Sequence, residues 1–299
     1  MTPPPGLATD AYRTPDERFD ELPGWTYAPH YATVAGLRMH FVEAGVGAPI
    51  VLLHGEPTWG FLYRKLIPIL VPVGRVLVPD LVGFGRSDKP LRPEAYTYDG
   101  HYAALERFAL ELDLQGATLV VHDWSGPLGL RFAVGHPERV ERLVLLNTGV
   151  GVGAPSPEWL RFRDLVRRVG DGFTASRLVQ ASCVAPLDDA VLRGYDAPFP
   201  VADAKAGVRA FPELVPTEPD HPSAAAMLRV RDALAGWEKP ALVLFSDSDR
   251  VFSPAHAERL AAHIPGALPA EIVAGAGHFL QEDRGEEIAE RIARFLQSG

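Results

Sequence analysis

Residues 118–130 read T-L-V-V-H-D-W-S-G-P-L-G-L, and this stretch decides how the whole chain is interpreted. Its first four residues form a β-branched and apolar run, which is typical of a strand buried on both faces of a sheet. A sharp turn follows at His122-Asp123-Trp124, and small residues behind it permit a tight connection into a helix: Ser125, Gly126 and Gly129. The layout predicts a nucleophile elbow, a strained turn that lifts one side chain above the end of the strand. The residue at its apex is Asp123.

The carboxylate at this apex indicates the type of chemistry. A serine there suits attack on a carbonyl carbon, whereas a carboxylate is a competent nucleophile at a saturated carbon that carries a leaving group. Such a displacement gives an alkyl ester, which water must then cleave at the carbonyl carbon. Asp123 therefore favours dehalogenation or epoxide opening over esterase or lipase chemistry. The alternative is that Asp123 only caps the following helix, which is a frequent role of aspartate.

The composition narrows the class of protein. A chain of 299 residues with 47% hydrophobic content is long enough for one domain of about 200 residues and an insertion. The net charge of −9, without a basic cluster, argues against a nucleic-acid or anionic-membrane partner. Cys183 is the only cysteine, which excludes an intrachain disulfide and a cysteine-based zinc site.

Neither a secretory signal nor a membrane-spanning segment is visible in the sequence. The N-terminal M-T-P-P-P-G lacks the positive flank and apolar core of a secretory signal. No apolar run approaches the roughly 20 residues that a membrane span needs. We expect a soluble, cytoplasmic and monomeric protein that uses no metal and no cofactor.

Strand and helix patterns alternate on both sides of the elbow. After a Pro-rich arm over 1–28, an antiparallel hairpin is predicted over 31–42, turned at Ala35-Gly36. Further strands are predicted over 49–53, 75–79, 118–121, 140–146, 240–245 and 270–273. Helices are predicted over 61–70, 98–112, 127–135, 223–235, 254–264 and 286–297. This alternation predicts a mostly parallel, doubly wound sheet.

The pattern is interrupted over 149–222. This segment has Gly- and Pro-rich punctuation, no convincing strand, and amphipathic helices predicted over 159–169, 174–181 and 188–195. We expect a helical cap inserted between two parts of the core, 1–148 and 223–299.

A general base is expected after the last predicted strand. Residues 275–279 read G-A-G-H-F, and the glycines allow the backbone to bring His278 back towards the elbow. With an ester on Asp123, His278 would deprotonate the water that attacks it.

The acid that orients His278 is expected in a loop at the same edge of the sheet. The end of the strand before the cap carries Asn147, which has no charge. The loop after residue 245 reads S-D-S-D-R-V-F-S-P and offers Asp247 and Asp249. We favour Asp249, because D-R-V-F-S-P is a turn that leads into a helix, and Asp247 is the alternative, a turn residue bonded to nearby backbone.

Two backbone N–H groups are needed to stabilise the oxyanion of ester cleavage. One normally follows the nucleophile and the other comes from an early loop. Here these are the amides of Trp124 and of Glu56 in the sequence H-G-E-P.

The sequence resembles the haloalkane dehalogenases, which are α/β-hydrolases with a helical cap, over nearly its whole length. The motifs are H-G-E-P-T-W-G-F-L-Y-R-K-L-I-P from residue 54, G-F-G-R-S-D-K-P from 83, the H-D-W elbow, Y-D-A-P-F-P and A-G-V-R-A-F-P in the cap, and G-H-F-L-Q-E-D from 277. The resemblance implies an α/β-hydrolase fold, small apolar halogenated substrates and halide release. It also implies that Asp123 is the nucleophile, His278 the base, and Asp249 the acid, as in the branch with the acid after the penultimate strand. Trp124 would be one of two indole donors to the leaving halide.

The second halide-binding tryptophan departs from the family pattern. In this branch it lies in an early cap helix reading roughly F-L-x-W-R-x-F, or within D-G-F-T-A-W. Here the first pattern reads W-L-R-F-R-D-L, with Trp159 at an apolar position and Phe162 at the tryptophan position, and the second ends in Ser176. Trp159 and Phe162 share one helix face, so Trp159 either reaches the halide from another turn or is cap packing. A Phe ring edge is a poorer halide partner than an N–H donor.

Two other functions are compatible with the same residues. An epoxide hydrolase would use the same triad, but it needs acidic cap groups, generally two tyrosines, and Tyr195 is the only tyrosine over 149–222. An inactive or weakly active α/β-hydrolase would explain the displaced tryptophan, although it would not explain retention of Asp123, His278 and Asp249.

Overall fold

A central eight-stranded sheet organises the molecule in the computed structural model, which describes residues 10–153 and 155–298. The strands are β1 His30–Val34, β2 Leu37–Ala44, β3 Pro49–Leu53, β4 Arg75–Pro79, β5 Ala117–His122, β6 Val140–Leu146, β7 Ala241–Ser246 and β8 Glu271–Val273. Their order across the sheet is β8-β7-β6-β5-β3-β4-β2-β1. Strand β5, which leads into the elbow, therefore lies at the centre of the sheet.

The sheet is parallel except at one edge. Strand β1 is antiparallel to β2, and β2 is antiparallel to β4, while all other neighbours are parallel. Every residue of β3, β5 and β7 is buried, as expected for strands with helices on both faces. The predicted doubly wound sheet is confirmed. The β1–β2 hairpin turns at Ala35 and Gly36, which both have positive φ, the conformation that tight hairpin turns require.

The helices follow the predicted alternation. In the described residues they are α1 Ile67–Leu70, α2 Tyr98–Glu111, α3 Ser125–Gly135, α4 Pro157–Val169, α5 Ala175–Ser182, α6 Asp189–Asp196, α7 Ala206–Ala210, α8 Ala224–Leu234, α9 Pro254–His263 and α10 Leu280–Gln297. Most ends lie within two residues of the prediction. Helix α7, which is only five residues long, was not predicted.

Two predicted helices differ from the structure. The helix expected over 61–70 is a 3₁₀ turn, Gly60–Tyr63, followed by the short α1. Pro68 lacks the N–H that a continuous helix needs in its interior, so it lies in the first turn of α1. Helix α10 begins six residues before the expected position 286, because a non-helical turn at Arg284 interrupts the periodic pattern near its start.

The described part of the N-terminal arm, 10–28, packs on the core. Residues Ala11–Tyr12 pair with Lys89–Pro90 in a small antiparallel sheet. The rings of Phe19 and Trp25 are buried and contact Trp59 edge-on, at centroid distances of 5.2 and 5.1 Å. The first nine residues of the predicted arm lie outside the described residues.

Five helices, α4 to α8, lie between β6 and β7. The described residues of 149–222 contain no strand, and α8 packs against α3 beside the elbow. Among the described helices, none has the length and apolarity to cross a membrane. The described residues also include no group of three or more His, Cys, Asp or Glu side chains placed to hold a metal ion.

Candidate active site

The predicted elbow lies between the end of β5 at His122 and the start of α3 at Ser125. Asp123 has a φ of +51°, a conformation that aspartate tolerates better than most residues. The hydroxyl of Thr148 donates to the Asp123 carbonyl at 2.6 Å, which holds the turn from the neighbouring strand end. A Cβ atom on Gly126 would lie 1.7 Å from that hydroxyl, so this position requires glycine.

The Asp123 carboxylate rests on the loop after β3. Its Oδ1 atom accepts a hydrogen bond from the backbone N–H of Glu56 at 2.9 Å. A Cβ atom on Gly55 would lie 2.3 Å from the same oxygen, so glycine lets the loop approach the carboxylate. Helix α3 has no side-chain hydrogen bond at its N-cap residue. That N-cap residue is Trp124, so Asp123 lies one position before the cap.

His278 lies between two carboxylates. Its Nδ1 atom is 2.8 Å from Oδ2 of Asp249, and its Nε2 atom is 3.6 Å from Oδ2 of Asp123. The Asp249 side chain is fully buried, and its Oδ1 atom accepts from the N–H of Val251 at 2.7 Å. The structure thus brings together the three side chains that the sequence analysis selected, from three separate loops at positions 123, 249 and 278.

The charges of these side chains depend on each other. Burial opposes protonation of His278, but the carboxylates of Asp249 and Asp123 more than offset it and raise the pKa of His278 to about 10. Burial also opposes ionisation of Asp123, yet His278 and the Trp124 N–H hold the Asp123 pKa below its usual value. At neutral pH the unreacted site therefore contains an ionised Asp123 carboxylate beside an imidazolium.

Asp247 occupies a different position from Asp249. Its carboxylate accepts from the N–H of Gly275 at 3.0 Å and from the hydroxyl of Ser248 at 2.8 Å. It therefore supports the backbone of the loop that carries His278, and no hydrogen bond joins the two side chains in the described residues. Between the two candidate acids, only Asp249 contacts the imidazole.

Two polar side chains that the sequence analysis gave no role hold the same loop. The amide of Asn147 donates to the carbonyls of Gly277 and His278, at 3.1 and 3.0 Å. The ring of His122 is buried, and its Nε2 atom donates to the His278 carbonyl at 2.9 Å. Both residues lie at the ends of central strands, next to the elbow. Their positions at the ends of parallel strands could have indicated a role at the site, because such positions meet at one edge of the sheet.

The His278 loop is also joined to the end of α5. The N–H of His278 donates to the carbonyl of Ser182 at 2.8 Å. A Cβ atom on Gly277 would lie 2.2 Å from the same carbonyl, so this contact depends on glycine. The carboxylate of Asp283 accepts from the N–H groups of Gly277 and Val184, at 2.9 and 3.0 Å. This junction links the segment over 182–184 directly to the backbone of His278.

Two cavities meet at Asp123. One, of about 450 Å³, is lined by Trp124, and the other, of about 610 Å³, is lined by His278. Asp123 and Trp159 line both cavities, whereas Phe162 lines only the larger one. Trp159 therefore shares a cavity with Trp124, and Phe162 does not.

Two further residues from the sequence analysis lie away from these cavities. The N–H and hydroxyl of Ser176 donate to Asp196, at 3.0 and 2.5 Å, so this side chain takes part in packing between α5 and α6. Tyr195 is fully buried and its hydroxyl donates to Glu282. Neither residue lines a cavity next to Asp123.

Comparison with known proteins gives a consistent result. Residues 48–285 match the family model of the alpha/beta hydrolase fold. A haloalkane dehalogenase of Mycobacterium marinum is 46% identical over 293 residues, which cover 95% of this chain and 98% of that protein. Haloalkane dehalogenase 1 of Mycobacterium tuberculosis is 45% identical over 303 residues, which cover 97% and 99%.

Solved structures agree with the sequence relatives. The tetrameric structure of a haloalkane dehalogenase from Paraglaciecola agarilytica has a TM-score of 0.89 and 33% identity, covering 94% of this chain and 97% of that chain. A haloalkane dehalogenase of Agrobacterium tumefaciens has a TM-score of 0.80 and 28% identity, covering 95% and 99%. With this identity over nearly the full length, the chain belongs to the haloalkane dehalogenase family, within the alpha/beta hydrolase fold.

Proposed function

We propose that this chain is a hydrolytic dehalogenase that converts a haloalkane and water into an alcohol, a halide ion and a proton. The observation that carries the proposal is the ionised carboxylate of Asp123 at the apex of the elbow, next to the His278–Asp249 pair. A carboxylate there displaces a leaving group at a saturated carbon, and the imidazole then supports hydrolysis of the ester. Membership of the family supports the same reaction.

In the first step, Oδ2 of Asp123 attacks the carbon that carries the halogen. A C–O bond forms, and the C–halogen bond breaks with its electron pair leaving on the halide. Oδ1 is held by the Glu56 amide, whereas Oδ2 lies beyond hydrogen-bond distance of His278. Oδ2 is therefore the better nucleophile of the two oxygens.

In the second step, water attacks the carbonyl carbon of the ester while His278 Nε2 takes one of its protons. The oxyanion develops on the oxygen that faces the amides of Glu56 and Trp124. Collapse expels the alkoxide, which leaves as the alcohol with the proton from His278, and the second proton of water passes from the Asp123 carboxyl group to His278, which restores the carboxylate and the imidazolium. Ester formation removes the charge of Asp123 and with it one cause of the raised His278 pKa, so the imidazolium releases its Nε2 proton to solvent before Nε2 acts as the base.

For the halide, we propose Trp124 and Trp159 as the two indole donors. Both line the cavity of about 450 Å³ next to Asp123, whereas Phe162 lines only the cavity of about 610 Å³. The guanidinium of Arg163 lies 5.2 Å from the centre of the Trp159 ring and packs over its face. An N–H donor binds a halide better than a Phe ring edge.

We propose 149–222 as the cap that shapes the substrate cavities, with 1–148 and 223–299 as the core. The smaller cavity has a largely apolar lining from Val150, Val215 and Met227, which suits a small apolar haloalkane. All of the described site residues come from one chain, so the chemistry proposed here requires no second copy. Sedimentation would measure whether the protein is the monomer that we propose.

Halide release from a panel of chloro-, bromo- and iodoalkanes tests the proposal, with styrene oxide as a competing substrate and Asp123→Ala as control. We expect bromide release and no diol. Diol formation without halide release would support an epoxide hydrolase instead, although Tyr195, the only tyrosine of the proposed cap, is engaged by Glu282.

A further inference from the structure

The carboxyl group of Glu56 lies buried beside the proposed catalytic groups. The residue is 5% exposed and lines the cavity of about 610 Å³ together with Asp123 and His278. Its own N–H, bonded to Asp123, fixes its position. Its Oε1 atom is buried and has no hydrogen-bond partner in the described parts of the chain. A buried polar atom without a partner is rare and indicates a strained, catalytic or water-binding role.

The environment of Glu56 favours the protonated form. No Lys or Arg forms an ion pair with it among the described residues. Burial raises the pKa of Glu56 well above its usual range, and the charge of Asp123 raises it further, while His278 acts in the opposite direction. A buried carboxylate without an ion-pair partner is unfavourable and normally takes up a proton. The surroundings of Glu56 therefore favour the neutral carboxylic acid over the carboxylate.

A neutral acid at this position suits the second step. The attacking water must be held between Nε2 of His278 and the carbonyl carbon of the ester, and a carboxylic acid can both donate to and accept from it. A carboxylate would place a second negative charge beside the developing oxyanion and oppose its formation. The neutral acid offers the hydrogen bonds without that repulsion.

We propose that the carboxyl group of Glu56 holds the hydrolytic water in line with the Asp123 ester and so accelerates the second step only. This inference rests on the function proposed above. The oxygen of the held water bonds to the ester carbon and one proton passes to His278. Glu56 neither gains nor loses a proton over the cycle.

The experiment compares three variants with the wild type in rapid-quench reactions with 1-bromobutane. Glu56→Gln keeps a neutral group with a donor and an acceptor, and Glu56→Leu removes both. Glu111→Leu makes the same change at an exposed carboxylate at the end of α2 that lines neither cavity. The first bromide equivalent reports alkylation, and the decay of the alkyl-enzyme, followed by mass spectrometry, reports hydrolysis.

We expect Glu56→Leu to slow hydrolysis by about tenfold, the effect of losing one hydrogen bond, and to leave the alkylation rate within about threefold. Glu56→Gln should restore hydrolysis to within about threefold of the wild type, and Glu111→Leu should match the wild type in both steps. If the Leu variant fails to fold, Glu56→Met, which is unbranched, takes its place.

Three results would overturn the inference. Hydrolysis at the wild-type rate in Glu56→Leu would show that the carboxyl group holds no water. Equal impairment of the Gln and Leu variants would show that a neutral amide cannot replace the group. Slower alkylation with normal hydrolysis would instead make Glu56 a halide ligand. A wild type that releases no bromide would be distinguished from all three, because it would remove the proposed function itself.

Discussion

The Nε2 atom of His278 lies 3.6 Å from Oδ2 of Asp123, a separation too long for a hydrogen bond. The other nitrogen of the ring is occupied by Asp249 at 2.8 Å, and the other oxygen of Asp123 by the Glu56 amide at 2.9 Å. The two facing atoms therefore attract each other electrostatically without sharing a proton. Oδ2 is free to react first, and Nε2 is free to act afterwards on a water molecule.

This separation predicts that the two chemical steps can be stopped independently. Asp123→Ala should abolish turnover, because no nucleophile remains. His278→Gln should permit one alkylation and then stop, because alkylation needs the carboxylate and ester cleavage needs the base. Mass spectrometry after incubation with a bromoalkane should show an alkyl adduct on the peptide that contains residue 123, with about one bromide released per enzyme molecule.

The folding of these two variants must be checked separately. Ala is less favourable than Asp at the positive φ of residue 123, so Asp123→Ala should lose about 1 kcal/mol of stability while it remains folded. Asp123→Asn, which tolerates this conformation, is the matched control for stability. Multiple turnovers in His278→Gln would exclude His278 as the base.

A second prediction separates the two aspartates after β7. Asp249→Asn should lower turnover by about 10²–10⁴-fold, because an amide cannot stabilise the imidazolium or fix the correct ring tautomer. Asp247→Asn should keep most of the activity, since Asp247 contacts only loop backbone and Ser248. Its thermal stability should fall by the equivalent of about 1 kcal/mol, the usual value of a lost hydrogen bond. The opposite ranking in a steady-state assay would place the acid at Asp247.

A third prediction concerns the leaving group. If Trp159 donates to the halide, Trp159→Phe should lower the alkylation rate on every haloalkane by about 10- to 100-fold, the cost of losing a hydrogen bond to a charged group. Chloride is the poorest of the three heavier leaving groups and needs the most stabilisation, so the loss should be largest for chloroalkanes. Single-turnover rates on matched chloro-, bromo- and iodobutanes give the comparison.

Phe162→Trp is the matched change on the same helix. Because Phe162 lines only the cavity without Trp124, the added indole should not improve chloroalkane turnover. If Phe162→Trp raises turnover on chloroalkanes specifically and Trp159→Phe has no effect, the halide donor belongs at position 162 and not at Trp159. If the ratio of turnover rates on chloro- and bromoalkanes is unchanged in both variants, both residues serve only in the packing of the cap.

A fourth prediction follows from the charges at the site. The pKa of His278 is raised from 6.5 to about 10 in the folded protein, so the imidazolium stabilises the fold below pH 6.5 and this contribution is lost as the pH rises towards about 10. The pKa of Asp123 is lowered below 3.8, so its contribution is present above that pH and is lost at more acidic pH. Thermal unfolding at a series of pH values should show a steeper fall in Tm between pH 6.5 and 10 for the wild type than for His278→Gln. Parallel curves would show that His278 is not bound by its carboxylate partners.

The sheet and the three proposed catalytic residues could be predicted because their signals are local. Asp123, Asp249 and His278 each follow a buried apolar strand by a few residues, and parallel strands place such positions at one edge of the sheet. The elbow and the hairpin turn at Ala35 and Gly36 are likewise local, because each needs small residues and positive φ angles within a few positions of the chain.

Features that depend on contacts between distant segments could not be predicted. The burial of the Glu56 carboxyl depends on a cavity that the cap and the core form together. The bond from His278 to Ser182 joins residues 96 positions apart and leaves no periodic signal in either segment. The start of α10 was placed too late because the turn at Arg284 breaks the helical period.

The bond between the Ser182 carbonyl and the His278 N–H has a consequence for how this enzyme can change during evolution. Residues 181–184 form part of the wall of the larger cavity, so they are obvious positions at which mutation would alter substrate range. Within this stretch, the Ser182 carbonyl binds the His278 N–H, and Asp283 joins Val184 to Gly277, which has no room for a larger side chain. Mutations there that change substrate selectivity should therefore also lower the turnover rate. Variants selected for new substrates at undiminished rate should accumulate instead at Phe162 and Leu165 of α4, which line the larger cavity and form no hydrogen bond with the His278 loop in the described residues.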